Sequence, residues 1–175
     1  MKLLYLLRHA KSSWDDPDID DFDRPLNRRG RETATLVADY CRDHEIQPST
    51  IICSTAKRTR QTLQPWLSAL DNVPVNFDNR VYEASWKTLY ALINDLHDGH
   101  RTALLLGHNP GLQRLALQLA HPDSDNPALP RMAAKLPTGS LIVLSSTVDR
   151  WAEITPGSCE VVQFLRPADI GGADD

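Results

Sequence analysis

Short apolar runs alternate with longer amphipathic segments along the chain, and this alternation predicts strands followed by helices. The runs are residues 3–7, 51–53, 73–77 and 102–106. The first run, Leu-Leu-Tyr-Leu-Leu, is continuously apolar, which is typical of a strand that is buried on both faces of a sheet.

The segments between these runs carry apolar residues at helical spacing. They are residues 28–44, residues 57–70, a stretch that begins at Ser85 and a stretch that follows Asn109. Asn27 is a suitable N-cap for the first segment, and Asn109 followed by Pro110 is typical of an N-cap and a first helical residue. Pro65 is expected to kink the second helix or to move its boundary.

The last third of the chain predicts a closing pair of strands and little other regular structure. Residues 121–139 are rich in proline and aspartate, so we expect a long loop there. Residues 141–144 and 151–154 are predicted to form the two strands, and residues 168–175 a disordered tail. No linker or repeat divides the chain, so residues 1–167 are expected to form a single domain.

Together these elements predict an α/β fold, because alternating strands and helices form a mostly parallel sheet that helices cover on both faces. The expected architecture is a three-layer α/β/α sandwich. In open sheets of this kind, ligands bind at the carboxyl ends of the strands. The residues that directly follow each predicted strand are therefore the first candidates for a functional site.

The composition excludes several classes of function. A formal net charge of −4 argues against nucleic-acid binding, since nucleic-acid binders usually present a net basic surface. No apolar run is long enough to span a membrane, and the apolar stretch before Arg8 is too short for a signal peptide, so we expect a cytoplasmic protein. The three cysteines are odd in number and widely spaced, which predicts buried free thiols rather than disulfides or a zinc site.

Two histidines and two arginines fall at or near the predicted strand ends. Arg8 and His9 follow the first strand, Arg58 lies near the helix start after the second, and His108 follows the fourth. Arginine binds phosphoryl oxygens with a planar fork, and a neutral imidazole can attack phosphorus as a nucleophile. A protonated second histidine and the N-termini of nearby helices would add further hydrogen-bond donors. These residues predict phosphoryl transfer that needs no metal and no other cofactor.

Three motifs in the same order resemble those of the histidine phosphatase superfamily, which includes the phosphoglycerate mutases. Residues 7–10 (Leu-Arg-His-Ala) resemble its nucleophile motif, and residues 54–62 (Ser-Thr-Ala-Lys-Arg-Thr-Arg-Gln-Thr) resemble its second arginine motif. Residues 107–110 (Gly-His-Asn-Pro) resemble its second histidine motif. The short length and residues 8–14 and 24–27 are most similar to the SixA-like phosphohistidine phosphatases.

The resemblance extends over about residues 2–167 and implies a phosphoglycerate mutase-like fold. It also implies a role for each matched residue. His9 would be the nucleophile and would carry the phosphoryl group as a phosphohistidine intermediate. Arg8 and Arg58 would bind the phosphoryl oxygens, and His108 would contact the same group and stabilise the transition state.

Two positions differ from the wider family or leave a role open. In the wider superfamily an acidic residue beyond the second arginine motif protonates the leaving group, and Glu83 is the nearest candidate for that acid. A capping or surface role beside Ser85 is the alternative for Glu83. Ala10 stands where many members have glycine, and we expect an adjusted turn there rather than a loss of activity.

Two other phosphatase signatures are weaker. Cys53 precedes Arg58 by four intervening residues, whereas the cysteine-dependent phosphatase loop needs five, so Cys53 is expected to lie in the strand core. Asp18 and Asp20 match part of an aspartyl-phosphatase signature, but no apolar strand precedes them. They belong to an acidic segment, residues 15–23, that is expected to be a solvated loop. If that loop borders the pocket, it would disfavour highly anionic metabolites and accept a phosphoprotein with basic residues near its phosphohistidine.

The leading hypothesis is therefore a metal-independent phosphatase acting on phosphohistidine in proteins. The first alternative is a phosphatase of a small phosphate monoester such as a sugar phosphate, and the second is a non-catalytic phosphate-binding module. The partner is thus a phosphorylated protein or a small phosphorylated metabolite, with no nucleic acid and no membrane. His9 must be neutral to attack, and the two arginines favour that form, so we expect activity to persist at mildly acidic pH. We expect a loss at higher pH if His108 must be protonated.

Overall fold

A computed structural model of the chain describes residues 1–122 and 125–175, which contain six strands and five α-helices. The strands are β1 (Lys2–Arg8), β2 (Thr50–Ser54), β3 (Val75–Asp78), β4 (Thr102–Gly107), β5 (Leu141–Ser146) and β6 (Glu160–Leu165). The α-helices are α1 (Arg28–Asp43), α2 (Lys57–Leu67), α3 (Trp86–Asn94), α4 (Gly111–Leu119) and α5 (Ala128–Ala134). The predicted alternation of strands and helices is confirmed, with boundaries that shift by up to three residues.

The strands form one sheet in the order β3-β2-β4-β1-β5-β6. The four strands β3, β2, β4 and β1 are parallel, whereas β5 is antiparallel to β1 and β6 is antiparallel to β5. The register pairs Arg8 with Gly107, so the carboxyl ends of β1 and β4 lie side by side. The prediction of a mostly parallel sheet is confirmed.

Helices cover both faces of the sheet because successive residues of each strand point to opposite sides. Leu4 and Leu6 of β1 pack into a core with residues of α3, α4 and α5, whereas Tyr5 and Leu7 pack into a second core with residues of α1 and α2. All four side chains are at most 4% exposed. The result is the three-layer α/β/α sandwich that the sequence predicts.

The second closing strand lies later in the chain than predicted, and the prediction for residues 151–154 is wrong. That segment contains a 3₁₀ turn, Trp151–Glu153, and the strand that pairs with β5 is Glu160–Leu165. Trp151 is fully buried, and its indole N–H donates to the His100 carbonyl oxygen at 2.9 Å. The apolar residues of this segment, Trp151 and Ile154, therefore pack into the core from a turn and not from a strand.

The predicted loop over residues 121–139 contains helix α5, so that prediction is also wrong in part. Asn126 accepts the backbone N–H of Ala128 at 2.9 Å at the start of the helix, and Ala128 and Met132 are buried one turn apart. Residues 123–124 of the predicted loop lie outside the described residues. Helix α5 has only seven residues and lies among proline and aspartate residues, so it is too short to give a periodic apolar signal in the sequence.

Smaller differences concern helix ends and the tail. Helix α4 begins at Gly111, after a cis peptide bond between Asn109 and Pro110, and the Asn109 side chain accepts the N–H of Gln113 at 3.3 Å. Pro65 lies in the last turn of α2, which ends at Leu67. The tail, for which we predict disorder, forms a 3₁₀ turn at Pro167–Ile170 and then runs back towards the carboxyl ends of the strands.

The three cysteines are buried free thiols, as predicted. Burial raises the pKa of Cys41 and of Cys53 to about 12, so both thiols stay protonated at neutral pH.

In the part of the chain that the structure describes, no helix combines the length and the apolar character needed to cross a membrane.

Gly30 fixes the position of helix α1 against the segment that follows β1. Its N–H donates to the Asn27 side chain at 2.8 Å, which confirms Asn27 as the N-cap of the helix. The Asn27 N–H in turn donates to the Lys11 carbonyl oxygen at 3.0 Å. A Cβ atom at position 30 would lie 2.0 Å from that same oxygen, so a glycine is required there.

We expect Gly30→Ala to lower the free energy of unfolding by about 2–3 kcal/mol, because the added methyl group overlaps backbone atoms that have no room to shift. In an ordinary helix the same change would stabilise the protein by about 1 kcal/mol, so the sign of the effect is the test. Urea unfolding measures it, with Thr35→Ala at an exposed position of α1 as the control. A stabilised Gly30→Ala variant would contradict the predicted contact.

Candidate active site

The carboxyl ends of β1, β2 and β4 meet at a cavity of about 330 Å³. His9 directly follows β1, and His108 directly follows β4, so the register of the two strands brings their rings to a centroid distance of 5.2 Å. The cavity wall consists of Arg8, His9, Lys11, Ser12, Trp14, Asp21, Arg58, His108, Asn109, Thr138 and Asp175. The structure thus brings together the four matched residues Arg8, His9, Arg58 and His108.

The tautomer of His9 is set by its backbone neighbour. Its Nδ1 lies 2.7 Å from the Ala10 carbonyl oxygen, and because a carbonyl can only accept, Nδ1 must carry the proton. In a neutral imidazole, Nε2 then keeps a free lone pair. The Nε of Arg58 donates to this nitrogen at 3.4 Å, which agrees with that assignment. His9 therefore presents an unprotonated Nε2 to the cavity.

Hydrogen bonds to several separate elements hold the backbone around His9. The N–H of His9 donates to the Gly107 carbonyl at 3.1 Å, and the N–H of Gly139 donates to the His9 carbonyl at 3.0 Å. The Arg8 N–H donates to Ser140 at 3.0 Å, and the Ala10 N–H donates to the Thr62 hydroxyl at 3.0 Å.

Ala10 itself is fully buried and packs against Leu26 and Ala34. A small side chain therefore fits the turn after His9 without a glycine.

Arg58 projects from the first turn of α2 and is held by the acidic segment. Its two terminal nitrogens donate to the Asp21 carbonyl oxygen at 2.6 Å and to the Asp21 carboxylate at 3.1 Å. Tyr82 donates its hydroxyl to the same carboxylate oxygen at 2.6 Å. The guanidinium is thereby fixed in a plane that points its Nε at His9.

Arg8 and His108 each keep a buried polar atom that has no partner among the described residues. The Nη1 of Arg8 donates to the Leu136 carbonyl oxygen at 2.7 Å, but its buried Nε is unpaired. The Nε2 of His108 lies 2.8 Å from the Ser54 hydroxyl, while its buried Nδ1 is unpaired. Buried polar groups are usually satisfied, and both residues line the cavity, so these atoms fit an anionic ligand.

Ser54 also explains which proton His108 can offer. The Ser54 hydroxyl oxygen accepts the Ala56 N–H at 3.3 Å and can donate its own proton to Nε2 of His108. With that donation, the proton of the neutral ring is on the unpaired Nδ1. His108 can therefore donate one hydrogen bond to a phosphoryl oxygen without being protonated, which differs from the expectation of a charged His108.

Both histidines of the cavity have pKa values well below neutral pH. Burial, with smaller contributions from the Arg58 and Arg8 guanidinium groups, lowers the pKa of His9 to about 3. Burial also lowers the pKa of His108 to about 3, with contributions from His9 and Arg58. The predicted neutral form of His9 is confirmed, although burial rather than the arginines is its largest cause.

These low pKa values predict that the protein loses stability on acidification. An unfolded histidine binds a proton below about pH 6.5, whereas His9 and His108 in the native state do so only near pH 3. The unfolded state therefore binds more protons throughout this window, and the free energy of unfolding falls as the pH decreases through it. Urea midpoints measured between about pH 7 and pH 4.5 test this, and His9→Asn should show a shallower decrease. Equal slopes for the two proteins would contradict the assignment.

Glu83, the candidate acid, is placed outside the cavity. Its side chain is exposed, its φ is 53°, and it is absent from the cavity wall. The neighbouring Tyr82 points inwards instead, with its ring 5.4 Å from the ring of His108. Tyr82 thus bonds to Asp21 at the site, whereas Glu83 is exposed to solvent.

Sequence reasoning missed the individual contributions of Asp21, Tyr82, Thr138 and Asp175. Hydrogen bonds from Tyr82 and Arg58 hold the pKa of Asp21 below its usual range, so its carboxylate is ionised. Asp175 is ionised as well, because Lys11 and Thr138 bind its carboxylate and lower its pKa. The sequence offers one indication of the role of Asp21, namely that it belongs to the acidic segment, residues 15–23.

The arrangement offers a nucleophilic nitrogen surrounded by hydrogen-bond donors for an anion. Among the residues that the structure describes, His, Cys, Asp and Glu side chains do not form a cluster that could hold a metal ion. The donors at hand are Arg8 Nε, Arg58 Nε and His108 Nδ1. Such a set can bind phosphoryl oxygens while Nε2 of His9 attacks phosphorus.

Comparison with known proteins agrees with this geometry. The family model of the histidine phosphatase superfamily (branch 1) matches residues 4–111. An uncharacterised protein of Mycobacterium tuberculosis (strain H37Rv) is 36% identical over 162 residues, which are 92% of this chain and 99% of that protein.

Two solved structures extend the likeness to the whole fold. The proposed phosphohistidine phosphatase SixA from Agrobacterium tumefaciens is 30% identical, with a TM-score of 0.78 over 95% of this chain and 98% of that one. The proposed SixA from Nakamurella multipartitia is 26% identical, with a TM-score of 0.83 over 95% of this chain and 96% of that one. The sheet and its helices therefore form the phosphoglycerate mutase-like fold that the motifs imply, and the chain belongs to the SixA-like branch of the histidine phosphatase superfamily.

Proposed function

We propose that this protein is a metal-independent phosphatase that hydrolyses phosphohistidine in proteins through a phosphohistidine intermediate on His9. The choice of substrate rests on the ionisation state of the carboxylates in the cavity wall. Both carboxylates on that wall, Asp21 and Asp175, have lowered pKa values and bind cations or donors. Neither is poised to give a proton to a leaving group.

The first chemical step is an in-line displacement at phosphorus. The Nε2 lone pair of His9 forms the new P–N bond while the bond to the leaving group breaks. Arg8, Arg58 and His108 donate to the non-bridging oxygens, whose charge must be stabilised as the geometry changes. Water then attacks the phosphorylated His9, which releases inorganic phosphate and restores the free imidazole.

The identity of the leaving group decides how much an acid matters. The histidine side chain of a phosphohistidine, protonated on its other ring nitrogen, departs as neutral imidazole, whose conjugate acid has a pKa of about 6.5. A sugar or serine phosphate must release an alkoxide, which is a far stronger base and needs a proton in the transition state. A cavity whose carboxylates are ionised therefore favours phosphohistidine.

The rim of the cavity supports a protein as the substrate. Trp14 lines the cavity and is 69% exposed, and the Arg24 guanidinium lies 3.8 Å from the centre of its ring. Exposed aromatic residues beside a polar site are typical of protein contact surfaces. The exposed acids near Asp21 in residues 15–23 add negative charge on one side, which favours basic residues in the partner.

The test compares specificity constants on three substrates in excess chelator. They are a phosphohistidine-containing protein, 4-nitrophenyl phosphate and a panel of sugar phosphates. We expect turnover of the first two, whose leaving groups are good, and values lower by at least about 100-fold for the alkyl phosphates. The highest specificity constant on a sugar phosphate would favour a metabolite phosphatase, and phosphate binding without any turnover would favour a binding module.

A further inference from the structure

The carboxylate of Asp175 is bound at the cavity wall by four donors. The Lys11 ammonium lies 2.7 Å from it, and Thr138 donates its backbone N–H at 3.1 Å and its hydroxyl at 3.0 Å. The Arg29 guanidinium forms an ion pair with it at 3.5 Å. The Asp175 side chain is 12% exposed, so these donors hold a largely buried carboxylate.

The backbone that holds this donor set also holds His9. Lys11 comes two residues after His9, and its carbonyl is bound by the N-cap of α1. Thr138 directly precedes Gly139, whose N–H donates to the carbonyl oxygens of Arg8 and His9. The backbone that carries Lys11 and Thr138 is therefore fixed relative to His9 by contacts that do not involve the tail.

The chemistry of the set suits an anion with several oxygens. An ammonium, a guanidinium, a backbone N–H and a hydroxyl converge on one point, which is the way proteins bind a carboxylate or a phosphate. If Asp175 moved away, the positive charges of Lys11 and Arg29 would lose their partner. Two backbone carbonyl oxygens of the tail are bound as well. That of Asp174 accepts from the Arg29 guanidinium at 2.5 Å, and that of Asp175 accepts from the Lys135 ammonium.

We propose that Lys11, Arg29 and Thr138 form a second anion subsite beside the phosphoryl pocket. It takes a carboxylate or phosphate group of the substrate, and the Asp175 carboxylate fills it as an internal stand-in until substrate binds. The inference rests on the proposed function, since it places the transferred phosphoryl group at His9. It adds a specificity that the four matched residues do not supply, namely a preference for an acidic group close to the phosphorylated residue.

The direct test is to crystallise the wild type, Asp175→Ala and Asp175→Ala with Lys11→Met in the presence of tungstate, and to locate the metal by anomalous scattering. We expect one tungstate beside His9 in the wild type and a second one on Lys11 and Thr138 in Asp175→Ala. The Lys11→Met change should remove the second tungstate only. A single tungstate beside His9 in all three proteins would overturn the subsite, whereas the absence of tungstate beside His9 would instead count against the proposed function.

Kinetics supply a second readout with two phosphohistidine peptides that differ only by glutamate or glutamine next to the phosphohistidine. We expect Asp175→Ala to raise the ratio of kcat/KM for the glutamate peptide over the glutamine peptide by about fivefold, and Lys11→Met to cancel that gain. Asp174→Ala is the matched control, because only the backbone of Asp174 contacts Arg29. An unchanged ratio in Asp175→Ala, with normal folding by circular dichroism, would contradict the proposal.

Discussion

Replacement of His9 by alanine is expected to lower kcat/KM for 4-nitrophenyl phosphate by about 10⁴-fold or more. The expectation follows from the position of its Nε2, which carries the free lone pair and faces the cavity. The Ala10 carbonyl fixes this tautomer of His9, so the lone pair stays on the nitrogen that faces the cavity. The remaining rate would come from oriented water and from the donors that bind the phosphoryl group.

The measurement is a steady-state assay in excess chelator, together with a thermal melt to show that the variant is folded. His97→Ala is the control, because His97 is exposed and lies outside the cavity. A second readout is acid-labile ³²P bound to the wild type after rapid quenching, which the His9→Ala variant should lack. Full activity in His9→Ala would show that the nucleophile is a different residue.

Replacement of Arg58 by lysine is expected to lower kcat/KM by about 100-fold to 1,000-fold, although the positive charge is kept. The guanidinium donates in three directions, to the Asp21 carbonyl, the Asp21 carboxylate and Nε2 of His9. An ammonium group on a flexible stem cannot hold this planar arrangement. We expect a loss in kcat rather than in KM, because the geometry matters most when charge develops on the phosphoryl oxygens.

The same helix provides a matched control for this variant. Arg60 lies two residues later and is exposed, with its guanidinium 5.5 Å from the ring centre of Phe77. Arg60→Lys is expected to keep kcat within about twofold of the wild type. If Arg58→Lys behaved like Arg60→Lys, the three contacts of Arg58 would have no catalytic importance.

Most of the fold could be predicted because buried parallel strands leave a strong local signal. The runs at β1 and β4 are apolar at nearly every position, since helices cover both faces of the sheet at these strands. Strand β6 gives a weaker signal, because it is an edge strand with exposed positions at Glu160 and Val162. The apolar residues of the turn around Trp151 predict a strand there instead.

The four residues of the phosphoryl pocket could be predicted because each follows a strand or starts a helix at the same edge of the sheet. Thr138 and Asp175 could not, because their roles depend on where a loop and the tail return in space. Glu83 is the nearest acid along the chain, but its side chain is exposed and outside the cavity wall in the folded protein. Local spacing therefore predicts which residues share the sheet edge, and it does not predict which loops close over it.

The bonding of the backbone around His9 has a consequence for motion. The amide protons of Arg8, His9 and Ala10 are donated to Ser140, Gly107 and Thr62, which lie on three separate elements or their ends. In hydrogen exchange such amides should exchange only through global unfolding, whereas those of Asp15, Asp16 and Asp18 and of residues 173–175 should exchange early through local opening. His9 would thus keep its position while the acidic segment and the tail open and close around it. Substrate could then enter without changing the alignment of Nε2.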